Sequence, residues 1–209
     1  MTTPHDAIER AALCDLLDEV GPDAPTLAGD WTTGDLAVHL VVRERNPLAA
    51  PGIFVDTLLS RVTDWAMARE LARPYPDIVD RVRSGPPIVP WRLPIVRELL
   101  NLNEFFVHHE DVRRAAGRPP RTDVPDLDHA LRRVVSRMAG IQLWRRDLDV
   151  ELVDETGAVL ARRGDAPPRI VARPGELLLW LNGRGDAADL TFEGDEDAVA
   201  SLWDADLAI

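Results

Sequence analysis

Apolar residues in the first two thirds of the chain recur every three or four positions, which is the spacing of an amphipathic helix. The pattern predicts helices over residues 8–20, 32–46, 55–72, 95–117 and 125–146. Thr32 and Asp35 form a capping box at the start of the second of these. Residues 73–94 contain six prolines and one glycine, so we expect an irregular connection there. Four of these five segments, taken as principal helices with a long crossover, predict a four-helix bundle.

The pattern changes near Asp147, where apolar and polar residues alternate as in a half-buried strand. Two such runs on either side of a turn at residues 155–157 predict a β-hairpin. The remaining pattern predicts a strand at 169–172, a turn at Pro174-Gly175, a helix over 176–182, a strand at 189–193 and a helix over 196–203. We therefore expect an α+β protein, with a helical bundle at residues 1–146 and a small C-terminal domain at residues 147–209.

Composition excludes several classes of protein. The 209 residues carry a net charge of −12, with 24 arginines and no lysine, so nucleic acid is not an expected partner. Cys14 is the single cysteine, which excludes an internal disulfide, and we expect it to be a small buried residue instead of a nucleophile. Without a signal peptide or an apolar run of ~20 residues, we expect a cytoplasmic protein with no membrane contact. A monomer and a homodimer both stay open.

Three polar side chains interrupt the apolar helix faces and are candidates for chemistry. His39 shares a face with Leu36 and Leu40. Glu104 and His108 are four residues apart, so their side chains leave one helix face with Cβ atoms about 5–6 Å apart. The apolar residues around Glu104 make an unpaired carboxylate costly there. Two structural interpretations stay open, a histidine satisfied within the core and an ion pair of Glu104 and His108, with each other or with an arginine.

Taken together, the three residues favour a metal site, because bundles assemble metal centres from side chains on facing helices. Two imidazoles and one carboxylate suit zinc, or another divalent cation such as nickel, at about 2.0–2.2 Å. Three protein ligands leave one position for a water or a thiolate, whose pKa the cation lowers. Asp111, one turn beyond His108, is placed to orient that imidazole, whereas His109 and Glu110 are expected to face elsewhere. Because only neutral imidazole binds a metal, we expect the affinity to fall below about pH 6.5.

Two segments of the chain resemble motifs of the mycothiol-dependent maleylpyruvate isomerase family of actinobacteria. Residues 30–40, DWTTGDLAVHL, resemble its W-T-x-x-D-L-x-x-H-L helix. Residues 104–114, EFFVHHEDVRR, resemble its E-x-x-x-H segment, which often continues as H-x-D-x-x-R. The resemblance implies a metal-binding four-helix bundle of the DinB-like superfamily, with His39, Glu104 and His108 as ligands and mycothiol as a possible thiol cofactor.

Residues 176–184, ELLLWLNGR, resemble the L-L-L-W-L-x-G-R segment of the small α/β domain attached to many members of the family. By this resemblance Arg184 is a candidate for binding anionic groups of the thiol or the substrate, although the helix dipole alone also favours an arginine at a helix C-terminus. The resemblance implies an enzyme in which a thiol attacks an electrophilic small molecule, in isomerisation, conjugation or transfer. A metal-binding module without catalysis and a purely structural domain pair stay open.

Overall fold

The computed structural model describes residues 3–45, 60–87 and 93–203, with the backbone alone described for residues 60–64. The chain divides into two units, Met1–Pro119 and Pro120–Ile209. The first consists mainly of helices and the second combines helices with a four-stranded sheet, so the predicted α+β class is confirmed. Within the described ranges, every helix is too short or too polar to cross a bilayer.

The first unit is built from helices whose apolar faces pack on one another. They are α1 His5–Val20, α2 Thr33–Arg45, α3 Ser60–Leu71, α4 Tyr75–Arg83, α5 Pro94–Val96 and α6 Leu102–Ala115, with a π-helical turn at Arg97–Asn101 between the last two. Helix α1 packs against α6 and α4, and α2 packs against α3 and α4. Leu13, Leu36, Leu40 and Phe105 are fully buried in the core. Each such side chain contributes about 1.5–3 kcal/mol, which makes α2 and α6 firm supports for a site.

Helix α2 begins at the capping box predicted from the sequence. The hydroxyl of Thr32 donates to the Asp35 carboxylate at 2.7 Å, and the Thr32 amide donates to the same oxygen at 3.0 Å. The Asp35 amide in turn donates to the Thr32 hydroxyl at 3.2 Å. These bonds satisfy donors at the helix end and determine where α2 begins, and therefore the direction in which His39 projects.

Residues 73–94 differ from the irregular connection predicted for them, because helix α4 lies within them. The prediction was wrong because it counted prolines without regard to position. Pro74 lies just before the helix and Pro76 lies in its first turn, where an amide donor has no partner to lose. The third predicted helix is observed as α3, and its first predicted residues, 55–59, lie outside the described residues.

The second unit contains a sheet with the strand order β2-β1-β3-β4. Its elements are α7 Pro125–Arg146, β1 Val150–Val153, β2 Val159–Arg163, β3 Arg169–Val171, α8 Pro174–Leu181, β4 Thr191–Glu193 and α9 Glu196–Trp203. Strand β1 pairs antiparallel with β2 and parallel with β3, and β3 pairs antiparallel with β4. The predicted hairpin, the helix after it and the last strand and helix are confirmed, whereas Pro174 begins α8 instead of forming a turn.

Helix α7 groups with the second unit, because it packs on α8 and on β2. Gln142 is buried on this helix and donates to the Leu181 carbonyl at 3.1 Å. Ile141, predicted to face inward, is 60% exposed. The compact units therefore divide the chain at residue 119, whereas the predicted domains divide it at residue 146. The domain boundary at residue 146 stays a prediction.

One buried carboxylate organises the turn between β1 and β2. Asp154 is fully buried, and its Oδ1 accepts from the amides of Thr156 and Ala158, both at 2.9 Å, and from the Thr156 hydroxyl at 2.6 Å. Its Oδ2 accepts from Nε of Arg132 in α7 at 2.5 Å. Although burial opposes ionisation, these donors lower the pKa of Asp154 to about 2.

Candidate metal centre

The three residues predicted as metal ligands meet in the structure, although they come from two helices. His39 projects from α2, and Glu104 and His108 project from α6 one turn apart. Their possible ligand atoms all lie within 4.8 Å of one another. The two histidines are buried, and the side chain of Glu104 is 14% exposed. Sequence reasoning thus selected residues that the fold brings together, and their role as ligands stays a prediction.

Glu104 lies between the two imidazoles. Its Oε1 is 2.8 Å from Nε2 of His39 and 3.4 Å from Nε2 of His108. Ligand atoms about 2.1 Å from a tetrahedral zinc ion lie about 3.4 Å apart. The distance from Oε1 to Nε2 of His39 therefore has to lengthen by about half an ångström when zinc binds. The rings of His39 and His108 stand edge to face, with centroids 5.2 Å apart. This donor set fits a divalent cation that prefers nitrogen and oxygen ligands.

Asp111 contacts the histidine that the sequence assigned to it. Oδ2 of its fully buried carboxylate is 2.9 Å from Nδ1 of His108. An ionised carboxylate only accepts hydrogen bonds, so Nδ1 carries a proton and Nε2 faces Glu104. The backbone carbonyl of Asp111 accepts a bond from the amide of Leu27 at 3.2 Å, which connects the α1–α2 loop to α6. Asp111 therefore orients one candidate ligand and joins it to a neighbouring loop.

The two histidines have opposite pKa shifts. Burial lowers the pKa of His39, and its hydrogen bond with Glu104 offsets this only in part. Burial acts in the same direction on His108, but hydrogen bonds to Asp111 and Glu104 outweigh it and raise the pKa of His108 to about 9. Without a metal at pH 7, His39 is therefore neutral and His108 is protonated. A cation binds at both rings only after His108 loses the proton on its Nε2 and the proton on Nε2 of His39 moves to Nδ1.

Arg43 is a buried cation next to the candidate ligands. It lies one turn after His39 in α2, and its Nε is 3.4 Å from Oε1 of Glu104. Its terminal nitrogens donate to Oδ1 of Asn101 and to the Leu100 carbonyl, both at 3.3 Å, in the π-helical turn. Although burial opposes ionisation, Arg43 and the two histidines hold the pKa of Glu104 well below its usual range. Sequence reasoning did not assign Arg43 to the site, and its four-residue spacing from His39 is the signal that identifies it.

The polar residues that follow His108 in α6 have other partners. Nδ1 of His109 lies 3.0 Å from the Glu9 carboxylate in α1, so His109 connects two helices. Glu110 pairs with Arg113 at 3.1 Å and with Arg114 at 2.8 Å. These buried ion pairs support α6 without contributing an atom to the cluster of three ligands.

Two further predicted residues lie outside the cluster. Arg184 belongs to the second unit, where it follows α8 and its Nη1 donates to the Asn182 carbonyl at 2.5 Å. An arginine at a helix C-terminus makes such a contact for structural reasons alone, so its binding role stays a prediction. Cys14 is fully buried in α1, and burial raises the pKa of its thiol to about 12. A thiol that stays protonated at neutral pH is not a candidate nucleophile.

Comparison with known proteins adds one structural likeness. No protein-family model matches the chain, and no curated protein matches it. Among solved structures, the fold is similar to that of a mutant of the mycothiol-dependent maleylpyruvate isomerase, with a TM-score of 0.61, 13% sequence identity and coverage of 90% of each chain. At this identity the likeness concerns the fold alone. The likeness agrees with the predicted α+β class.

Proposed function

We propose that the chain is a metal-dependent thiol transferase or isomerase, in which His39, Glu104 and His108 hold one divalent cation. Zinc is the first candidate for the cation, followed by nickel, and mycothiol is the proposed thiol. The observation that carries the proposal is the convergence of two imidazoles and one carboxylate, from α2 and α6, within 4.8 Å. The two sequence motifs and the structural likeness to a mycothiol-dependent enzyme support thiol chemistry.

The residues around the centre hold and orient its ligands. A divalent cation with three protein ligands lowers the pKa of a thiol or water in its remaining position and so supplies a nucleophile at neutral pH. Asp111 keeps Nε2 of His108 directed toward the centre, and Arg43 keeps Glu104 ionised. The ring of Trp31 lies 5.0 Å from that of His39 and restricts the orientation of this imidazole. The position of Arg184 in the ELLLWLNGR segment supports a role in binding anionic groups of the thiol or the substrate.

Metal analysis tests the ligand set. Protein purified without a histidine tag and without chelators is expected to contain about one equivalent of zinc or nickel. His39→Ala removes one of three donors, so we expect its metal content to fall at least about tenfold. His129→Ala removes an exposed histidine of the second unit and is the matched control, which retains its metal. Wild-type protein that holds no metal after dialysis against zinc contradicts the proposal.

Two alternative functions give different results in the same experiments. A metal-binding module without catalysis holds the cation but shows no mycothiol-dependent turnover across a panel of electrophiles. A purely structural network, for which the hydrogen bond between His39 and Glu104 is the supporting observation, holds no cation, and His39→Ala then lowers stability alone. Thiol-dependent turnover that disappears together with the metal in His39→Ala supports the enzyme.

A further inference from the structure

A cavity of about 210 Å³ is lined by residues of α2, α3 and α4 and by Arg73 between the last two, and it shares no residue with the metal cluster. Four guanidinium groups line it, and one carboxylate, that of Glu70, stands among the described lining residues. The lining residues that the structure describes therefore carry a formal charge of +3, in a chain whose net charge is −12. Positive groups gathered in one concave site repel one another and attract anions.

The carboxylate of Glu70 in the cavity already pairs with two arginines. Oε2 of Glu70 accepts from Arg73 at 2.6 Å, and Oε1 lies 2.9 Å from Arg81. Nη2 of Arg45 donates to the Ser84 hydroxyl at 2.6 Å and to the carbonyls of Arg81 and Gly85 at 3.0 and 2.9 Å. Within the part of the chain that the structure describes, the Nε–H groups of Arg45 and Arg81 are buried and lack an acceptor. Both atoms are closed to solvent and therefore do not face the cavity, so the attraction for an anion comes from the charge of the four guanidinium groups.

The rest of the lining determines the size and character of such a ligand. Trp65 is 61% exposed, and the guanidinium of Arg69 lies 5.6 Å from its ring centroid. Val41, Val42 and Ala66 add apolar surface. The cavity has a volume of about 210 Å³. That space admits a phosphate or a short dicarboxylate, whereas a drug-sized or nucleotide-sized ligand needs roughly 300 Å³ or more.

We propose that this cavity binds a small dianionic oxyanion, a phosphate group or a short dicarboxylate, through Arg45, Arg69 and Arg81. Guanidinium groups suit this ligand because their planar N–H donors bind two oxygens at once and stay charged at physiological pH. None of the metal ligands takes part in this binding.

Calorimetric titration of the full chain with inorganic phosphate, at an ionic strength held constant with chloride, tests the site. Arg81→Gln removes a donor, so we expect phosphate binding to weaken at least about tenfold. Glu70→Gln removes the competing carboxylate at nearly constant shape, so we expect binding to strengthen about two- to fivefold. Arg83→Gln lies on the same helix and makes the same charge change, but Arg83 pairs with Asp15 and Asp18, so the affinity is expected to stay unchanged.

Circular dichroism of each variant establishes that it is folded, and Arg69→Gln, at an exposed position, replaces Arg81→Gln if that variant unfolds. Tighter binding of succinate than of phosphate identifies a dicarboxylate as the ligand, and the reverse order identifies a phosphate. Absence of binding of both up to about 10 mM, tenfold above the dissociation constant of a weak millimolar site, overturns the proposal. Equal weakening in Arg81→Gln and Arg83→Gln overturns it as well, because that result reflects net charge and not a site.

Discussion

At the scale of single residues, the proton on His108 controls whether a cation can bind. Its pKa of about 9 without metal means that a proton competes with the cation throughout the neutral range. We therefore expect metal affinity to rise about tenfold per pH unit from about pH 7 to pH 9 and then to level off. The sequence predicted a fall only below about pH 6.5, because it assumed an unperturbed imidazole. Competition titrations with a chromophoric chelator between pH 6 and 9.5 check this. An affinity that does not change with pH contradicts ligation by His108.

Asp111→Asn tests how strongly the orientation of His108 affects metal affinity. The amide keeps the size of the side chain but loses the charge that holds Nδ1–H, so we expect metal affinity to fall about 10–100-fold. Metal affinity is measured above about pH 9, where a proton no longer competes with the cation for His108 in the wild type. Glu110→Gln is the control, since it makes the same change at the preceding residue, whose partners are Arg113 and Arg114. Equal affinities in the two variants show that Asp111 does not orient the ligand.

The sequence could predict the residues that share one helix face, because helical spacing alone places Glu104, His108 and Asp111 together. It could not show from spacing that His39 meets them, since that depends on how α2 packs against α6. The expected bundle architecture suggested this step, and the family motifs supported it. Arg43 and Glu9 were not predicted, because a charged residue is expected at the surface unless its buried partner is known.

At the scale of elements, Asp154 determines the geometry of the β1–β2 turn. Asp154→Ala removes the acceptor for three hydrogen bonds and the partner of Arg132, so we expect the free energy of unfolding to fall by about 2–4 kcal/mol at pH 7. The folded pKa of about 2 lies below the ordinary value of 3.8, so ionised Asp154 stabilises the fold above about pH 4. This contribution, about 2 kcal/mol from the shift alone, is lost as the pH falls toward 2.

Urea unfolding of both proteins at pH 7 and at about pH 3 measures this effect, and the difference between wild type and Asp154→Ala is expected to shrink at the lower pH. Asp165→Ala removes an exposed carboxylate of the same unit and is expected to change stability by less than about 0.5 kcal/mol. A difference that stays constant with pH contradicts the role assigned to the ionised carboxylate.

Elements with a strong helical period could be predicted from the sequence, and the C-terminal helix Glu196–Trp203 was predicted with its observed bounds. Helix α4 was missed because its prolines lie where a helix tolerates them. The parallel pairing of β1 with β3 and the order of the strands depend on contacts between distant residues, which a local pattern does not contain.

At the scale of the whole molecule, the position of α7 decides where the chain divides. A fragment of residues 120–209 is expected to unfold cooperatively in urea, because α7 covers α8 and β2. A fragment of residues 147–209 lacks α7 and exposes buried surface of α8, so we expect it to show no cooperative transition. Residues 1–119 contain all three candidate ligands and Asp111 and are expected to retain the metal. Cooperative unfolding of residues 147–209 favours the boundary at residue 146 instead.

The loop between α1 and α2 touches both sides of the candidate centre. The amide of Leu27 in this loop donates to the Asp111 carbonyl, and the ring of Trp31 packs near His39. The Thr26 hydroxyl fixes the Trp31 carbonyl at 2.8 Å. Loops accept substitutions and insertions more readily than packed helices do. Substitutions in this short segment are therefore expected to change access to the proposed metal site without altering the two helices that carry its candidate ligands.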